Sequence, residues 1–214
     1  MRLRLGVLIS GRGSNLQALI DAAKDPAYPA AVELVISNKA DAPGLDRARA
    51  AGIDTLVLRP KDFADKAAHE AAMTAALEAA GVGLVCLAGY MRLLSPYFVE
   101  VWRDRLINIH PSLLPAFPGL DTHQKAMETG VRFHGCTVHF VRVEMDTGPI
   151  IVQAAVPVAD DDTPDSLAAR VLTQEHRAYP LAVRLIAEGR VTVEGNRVLV
   201  RGAAVPDAVI APIL

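Results

Sequence analysis

The chain has 214 residues, 51% of them apolar and 21% charged, with a formal net charge of -2 at pH 7. That length suits one large domain, or a domain with a small appendage, and enough apolar surface to bury a sizeable core. Charges of both signs are interspersed, which argues against nucleic acid as the main partner, and no apolar run approaches the roughly 18–20 residues that a membrane span needs.

After Met1-Arg2-Leu3-Arg4, the run Leu3 to Ile9 is nearly all apolar and stops at Ser10-Gly11. It lacks a cleavage pattern, so it is read as a buried strand and not as a signal peptide, with the cytoplasm as the expected compartment. A helix is expected from Asn15 to about Ala23, a strand over Val32 to Ser37, a helix over Pro43 to Ala51 and a strand over Thr55 to Leu58. Asp62 to Ala80 is alanine-rich and predicts a helix closed by Gly81 as its C′ residue. Leu84 to Ala88 and Leu106 to His110 are two further strands, and Cys86 and Cys136 sit in apolar runs that suit buried, reduced thiols. Phe133 to Val143 and Ile150 to Val158 are β-rich runs around a turn. Thr163 as N-cap and Pro164 at N1 start a long helix to about Glu188, with an interruption expected at Pro180. Val191 to Val193 and Arg197 to Val200, around Gly195-Asn196, predict a small hairpin.

Strands alternating with helices predict an α/β fold: a Rossmann-like, mostly parallel sheet flanked by helices, with an antiparallel β extension in the C-terminal half. One domain is expected over residues 1–200 and a tail over 201–214. Ligands in such folds sit beyond the carboxyl ends of the strands, so the loops after Ile9, Ala88 and Ile109 are the places to look for chemistry.

Ser10-Gly11-Arg12-Gly13-Ser14-Asn15 joins a strand to a helix. Glycines permit close approach of the backbone to a ligand, and the free N–H groups of a helix start attract an anion. No Gly-Lys-Ser/Thr follows, and Leu16 stands where a dinucleotide fingerprint has its third glycine. Two readings stay open: a loop for a single phosphate, or an ordinary tight turn with Ser14 or Asn15 as N-cap.

Leu106-Ile107-Asn108-Ile109-His110-Pro111 places Asn108 and His110 on one face of a strand by alternation. Pro111 biases His110 towards an extended backbone. An amide can donate to a developing oxyanion and a histidine can shuttle a proton near neutral pH, so the pair forms an acyl-transfer half-site. The prolines of Pro111 to Gly119 imply a rigid loop beside it. A satisfied Asn and His at a strand terminus is the bland alternative. Alternation puts His134 and Cys136 on one face and His139 on the other, which argues against a shared metal. Asp160-Asp161-Asp162 reads as a solvated loop before a helix. Asp146, on local grounds alone, reads as a turn residue. Glu175 lies near the stripe Leu167, Val171, Ala178, Leu181 and Leu185 of the long helix, where a carboxylate needs a partner, a ligand or a path to solvent.

Taken in order and spacing, these segments resemble the phosphoribosylglycinamide formyltransferase family, the folate-dependent enzymes of purine synthesis. The resemblance rests on Gly-Ser-Asn-Leu-Gln at 13–17, Ser-Asn-Lys-Ala-Asp at 37–41, Leu-Ala-Gly-Tyr-Met-Arg at 87–92 and Asn-Ile-His-Pro-Ser-Leu-Leu-Pro at 108–115. Pro-Gly-Leu-Asp-Thr-His at 118–123, His-Gly-Cys-Thr-Val-His-Phe-Val at 134–141 and Gln-Glu-His at 174–176 continue it, to about residue 195. It implies the formyltransferase fold and 10-formyltetrahydrofolate as co-substrate, with no metal. It implies Asn108, His110 and Asp146 as the catalytic residues, with Asp146 favouring the imidazolium by its charge. Gly13, Ser14 and Asn15 would hold the substrate phosphate. Leu172, Thr173, Gln174 and Glu175 would meet the ribose or glycinamide part. Lys66, Met91, Arg92, Leu93, Leu94 and Asn108 would contact folate, and Arg142, Val143, Glu144, Met145 and Asp146 would close over it. Thr147 stands where some relatives have glycine and would stiffen that loop. The partners so implied are small molecules, not nucleic acid or a membrane.

Three rivals share part of the pattern. A formyltetrahydrofolate hydrolase carries the same half-site on a longer chain with an N-terminal regulatory domain, whereas the catalytic fold is expected here from residue 3. A methionyl-tRNA formyltransferase adds a basic C-terminal domain, whereas an uncharged tail is expected here from Ala208 to Leu214. A non-catalytic phosphate-binding module would need the glycine loop alone.

Overall fold

The computed structural model describes residues 2–204 together with 210 and 211, and sixteen elements lie among these described residues. In order these are β1 (Leu3–Ile9), α1 (Ser14–Ala23), β2 (Ala30–Ser37), α2 (Gly44–Ala50), β3 (Asp54–Val57), a 3-10 turn (Pro60–Asp62), α3 (Lys66–Ala79) and β4 (Leu84–Leu87). There follow α4 (Pro96–Val101), β5 (Leu106–His110), α5 (Thr122–Thr129), β6 (Phe133–Phe140), β7 (Ile150–Pro157), α6 (Pro164–Ala187), β8 (Val191–Glu194) and β9 (Arg197–Val200). Seven strands form one sheet in the order β3-β2-β1-β4-β5-β6-β7, and β8 pairs with β9 in a separate hairpin. No helix among the described residues is long and apolar enough to cross a membrane. Of the expected tail, residues 205–209 and 212–214 lie outside the described residues.

The chain divides into two compact units, Met1–Asn108 with Phe140–Val143, and Ile109–His139 with Glu144–Leu214. In the first unit β1 runs parallel to β2 and β4, β2 to β3, and β4 to β5. The pairings Ile9↔Ser37, Leu8↔Leu87 and Leu87↔Asn108 bring the carboxyl ends of four strands to one edge. That edge is where a parallel sheet binds ligands, and the glycine loop, Asn38, the loop after β4 and Asn108 all emerge from it. All four residues of β4 are buried, as expected of an interior parallel strand covered on both faces. Leu8, Ile36, Met73, Leu77, Phe98 and Trp102 belong to one buried cluster of this unit.

The helix predicted from Asp62 starts four residues later. Pro60–Asp62 makes a 3-10 turn instead, and Asp65 caps α3 by accepting the Ala68 N–H at 2.8 Å. Its other end follows the prediction. Gly81 has φ 64°, and the bonds Gly81 N–H to Glu78 O and Val82 N–H to Leu77 O close a Schellman motif.

In the second unit β6 and β7 run antiparallel, from Phe133↔Pro157 to His139↔Ile150, with a bulge at the His139 end. Helix α6 packs on β7 and is unbroken through Pro180, contrary to the expected interruption. A proline inside a helix costs about 3 kcal/mol. Here burial continues across it through Val171, Glu175, Ala178, Tyr179, Ala182, Val183 and Leu185, which keeps the helix in one piece. Leu181, expected in that stripe, is instead 46% exposed, because the buried face runs through Ala178, Ala182 and Leu185.

Candidate active site

At the sheet edge of the first unit, Gly13 is the residue that turns β1 into α1. Its φ and ψ are 70° and 32°, and it flanks the helix without any side-chain cap. Ser14 is already helical, so neither Ser14 nor Asn15 acts as the N-cap of an ordinary turn. The first turn of α1 also carries no acidic residue. With no side-chain cap from Gly13 and no acidic residue in its first turn, the positive end of α1 suits an anion. Gly13 is required twice over: its φ lies in the left-handed region, and a Cβ there would fall 2.6 Å from the Gly44 Cα. The loop is tied to α2 by the Gly44 N–H, which donates to Gly11 O at 3.0 Å, and by Arg47 Nε, which donates to Arg12 O at 2.9 Å. Asn15 is buried and Ser14 half-buried.

The residues expected to meet folate in this unit occupy two kinds of place. Met91, Arg92 and Leu93 are exposed and Leu94 is half-buried, on the loop between β4 and α4, while Lys66 is the exposed first residue of α3. Burial pushes the neighbouring Tyr90 hydroxyl up to about 12; Glu70 adds to the rise and Arg92 opposes it. Arg142 is not a free cation: its Nη2 lies 2.6 Å from Asp104 Oδ1.

The second unit holds the histidine–aspartate pair. Asn108 lies half-buried near the end of β5, two residues before His110, which ends the strand and is 5% exposed. His110 Nε2 is 3.0 Å from the Phe117 carbonyl oxygen. A carbonyl only accepts, so Nε2 carries a proton. The other nitrogen, Nδ1, faces Asp146 Oδ2 at 3.6 Å. That distance is long for a hydrogen bond but well within reach of a charge interaction. Asp146 Oδ2 accepts the Gly119 N–H at 2.9 Å, and its Oδ1 lies 3.9 Å from His139 Nε2.

Backbone geometry aims both partners of His110. Phe117 and Asp146 have φ of 55° and 58°, in the left-handed region. Aspartate tolerates that region better than most residues, whereas for a bulky residue such as Phe117 it is a strained outlier. The left-handed residue Phe117 carries the carbonyl that receives His110 Nε2. Thr137 fixes the loop between: its hydroxyl donates to Ser112 O at 2.7 Å and accepts the Leu114 N–H at 3.0 Å. Gln153 Nε2 donates to Leu114 O at 2.8 Å. The proline-rich loop is thus tied through Ser112 and Leu114 to β6 and β7.

Neighbouring histidines are kept neutral. His134 packs edge-on against His123 and Phe117, with ring centroids 5.1 and 5.9 Å away. Burial, with His123 and His110 close by, pushes His134 down to about 4, while the Pro111 carbonyl pulls the other way. His123 is lowered too, by burial and then by His110.

On α6, Glu175 is buried, as its place near the stripe foreshadows. Burial and then the Glu175 charge push the Cys136 thiol up to about 12. Thr173 spends its hydroxyl on Ala169 O at 3.1 Å, and Gln174 accepts from Arg177 at 3.1 Å, so these two side chains are engaged within the helix. Leu172 is half-buried. In the loop after β6, Val143, Glu144 and Met145 are exposed, and Thr147 tightens the turn by donating to Glu144 O at 3.0 Å. Phe117 and Gly119 are the contacts of the pair that sequence reasoning passed over, since a carbonyl and an N–H carry no residue signature; His139, weighed there only as a metal ligand, is the third.

Comparison with known proteins identifies the family. The profile of the formyl transferase family matches residues 3–183. The chain is 48% identical over 204 residues to the phosphoribosylglycinamide formyltransferase of Escherichia coli (strain K12), covering 95% of this chain and 96% of that protein. It is 55% identical over 190 residues to the trifunctional purine biosynthetic protein adenosine-3 of Drosophila melanogaster, of whose length it spans only 14%. The crystal structure of glycinamide ribonucleotide transformylase 1 from Symbiobacterium toebii superposes with a TM-score of 0.91 at 53% identity, covering 93% of this chain and 94% of that one.

Proposed function

The chain belongs to the formyl transferase family, and on that premise we propose that it transfers the formyl group of 10-formyltetrahydrofolate to the amine of 5'-phosphoribosylglycinamide, a step of purine biosynthesis. The observation that carries this reading is the 48% identity to the Escherichia coli enzyme, which runs almost end to end in both chains. The substrates are small molecules, and the folate is a co-substrate that leaves after each turnover. The substrate phosphate is assigned to the uncapped start of α1 at Gly13, Ser14 and Asn15, supported by the backbone geometry there. Met91 to Leu94 are assigned to the pterin, and Glu175 with Leu172, Thr173 and Gln174 to the ribose or glycinamide.

In the reaction the substrate amine attacks the formyl carbon, a new C–N bond forms, and the tetrahedral carbon carries an oxyanion. Asn108 donates to that oxyanion and the His110 imidazolium stabilises it by charge. With Nε2 held by the Phe117 carbonyl, the proton that His110 can exchange is the one on Nδ1, beside Asp146. Asp146 Oδ2 lies 3.6 Å from Nδ1, close enough for its charge to face an imidazolium there. Collapse breaks the bond from the formyl carbon to the folate nitrogen, which takes up a proton as the amine loses one.

A single assay tests the reading. The protein is mixed with 10-formyltetrahydrofolate, with and without 5'-phosphoribosylglycinamide, and loss of the formyl group from folate is followed. Turnover only with the amine is expected. Turnover that ignores the amine would mean a hydrolase, and none in either case would leave a binding module.

A further inference from the structure

The exposed loop after β4 is held from beneath at both ends by buried polar side chains that the reaction does not use. At its start, Ser10, 5% exposed, donates its hydroxyl to Asn38 Oδ1 at 2.6 Å and accepts the Met91 N–H at 2.8 Å. The Ser10 N–H also donates to Gly89 O at 3.1 Å. At its end, Glu70, 2% exposed, accepts the Ser95 N–H through Oε1 at 2.9 Å and the Ser95 hydroxyl through Oε2. Lys66 Nζ lies 3.9 Å from the same carboxylate. Ser95 Oγ in turn accepts the Phe98 N–H at 3.2 Å, so the residue that caps α4 is also the one that Glu70 grips.

Capping α4 needs only Ser95. It gives no reason to bury a carboxylate beneath it, since burying an acid is costly unless its acceptors are used. Nor does a strand need Ser10 at its end to reach the backbone of a loop 81 positions further along the chain. Irregular backbone must find partners for its N–H groups, and here two of them are claimed by side chains from the residue after β1 and from α3. Between the anchors, Met91 and Leu93 stay 68% and 71% exposed, an apolar surface on a fixed backbone.

We propose that Ser10 and Glu70 are positioning residues for the formyl donor: together they clamp Met91 to Leu94 so that the loop meets the pterin-bearing substrate in one conformation. This rests on the reading that Met91 to Leu94 line the pterin pocket. Their loss acts on donor binding, through the loop, and not on the chemical step.

The full-length chain serves for the test. Glu70→Ala and Ser10→Ala are each expected to raise KM for 10-formyltetrahydrofolate about tenfold, with kcat and KM for the phosphorylated amine within about twofold of the unaltered chain. Glu70→Gln keeps an acceptor for the Ser95 N–H and is expected to recover most of the loss, and Ser10→Ala alone carries the test should Glu70→Ala fold poorly. Amide exchange over residues 91–95 is expected to quicken in the alanine variants. In the unaltered chain, protection of these amides by an unreactive folate tests the pocket by itself; no protection would overturn the pocket reading and the clamp with it. Protection combined with an unchanged donor KM in the variants, or with an equal rise in both KM values, would overturn the clamp alone.

Discussion

Asp146 shows how little a single residue can disclose before the chain is folded. It sits in a turn, where aspartate is common for backbone reasons, and only its family context linked it to His110. In the structure its left-handed backbone and the Gly119 N–H hold its carboxylate towards His110 Nδ1. Asparagine tolerates the same backbone, so Asp146→Asn removes charge with little change of shape. Its kcat is expected to fall by roughly two to four orders of magnitude, with both KM values within about threefold. A rise in KM at unchanged kcat would show that Asp146 binds substrate and takes no part in the chemistry. Ser14 offers the opposite test. Ser14→Asp puts an anion into the first turn of α1, and KM for the phosphorylated substrate should rise by about tenfold or more, while KM for folate hardly moves. Equal changes in both would argue against the phosphate assignment. His134 concerns stability. Its folded value of about 4 lies below the ordinary 6.5, so the fold prefers the neutral ring. The unfolded chain takes up the proton first, and stability is full above pH 6.5 and declines as pH falls towards 4. His134→Phe should flatten the thermal midpoint across that window, and an unaltered slope would assign the acid loss to other groups.

Among the elements, those with a physical signature in the sequence are the ones that were legible. Strand β5 is legible from Leu106 to His110, because its apolar run is bounded by Arg105 and Pro111. The start of α6 was read from Thr163-Pro164, and the capping box with Ser166 is present. Helices α4 and α5 were missed. The first has six residues, too few for a helical period, although Ser95-Pro96 repeats the Thr163-Pro164 signal that was used later in the chain. The second, Thr122–Thr129, is mostly polar and buries only Thr122 and Ala126, so no apolar stripe announces it. Pro180 misled for the opposite reason: a local breaker was outweighed by packing along the whole helix. The acids before α6, read as a solvated loop, include one with a defined task. Asp162 accepts Arg170 at 2.6 and 2.8 Å, Ser166 Oγ at 2.7 Å and the Ala159 N–H at 2.8 Å. Arg170, and then Ser166 and Ala159, hold its carboxyl well below the usual carboxylate range. A depressed carboxyl contributes stability above its unfolded value of about 3.9 and loses it as pH falls towards the folded one. Asp162→Asn should therefore lower the thermal midpoint at neutral pH and shrink the acid-side loss; an unchanged midpoint would mean that the Arg170 pair is idle.

Over the whole molecule, alternation of strands with helices was enough to predict a parallel sheet with ligand loops at its carboxyl edge. What it could not predict is the division into two units in the middle of β5 and at the end of β6, because a contact boundary that cuts a strand leaves no mark in composition. The two cysteines give a handle on that division. Cys86 lies in the first unit and Cys136 in the second, and both are fully buried. The native protein should not react with a thiol reagent at neutral pH. In rising denaturant, labelling of the two sites in step would mean that the units open together, and labelling of one before the other that they open separately. Prompt native labelling of either site would contradict its burial.

The loop between β4 and α4 carries a thermodynamic corollary. Ordering one backbone residue costs roughly 1–2 kcal/mol, and a segment fixed in advance by Ser10 and Glu70 spares its ligand that expense. A planar molecule settling over Met91 and Leu93 would then register in a calorimeter as a negative heat-capacity change from the methylenes it covers, without the large unfavourable entropy of a segment that folds as it binds. Cutting either anchor should turn that signature towards coupled folding, with a more favourable enthalpy and a heavier entropic penalty at nearly the same covered area.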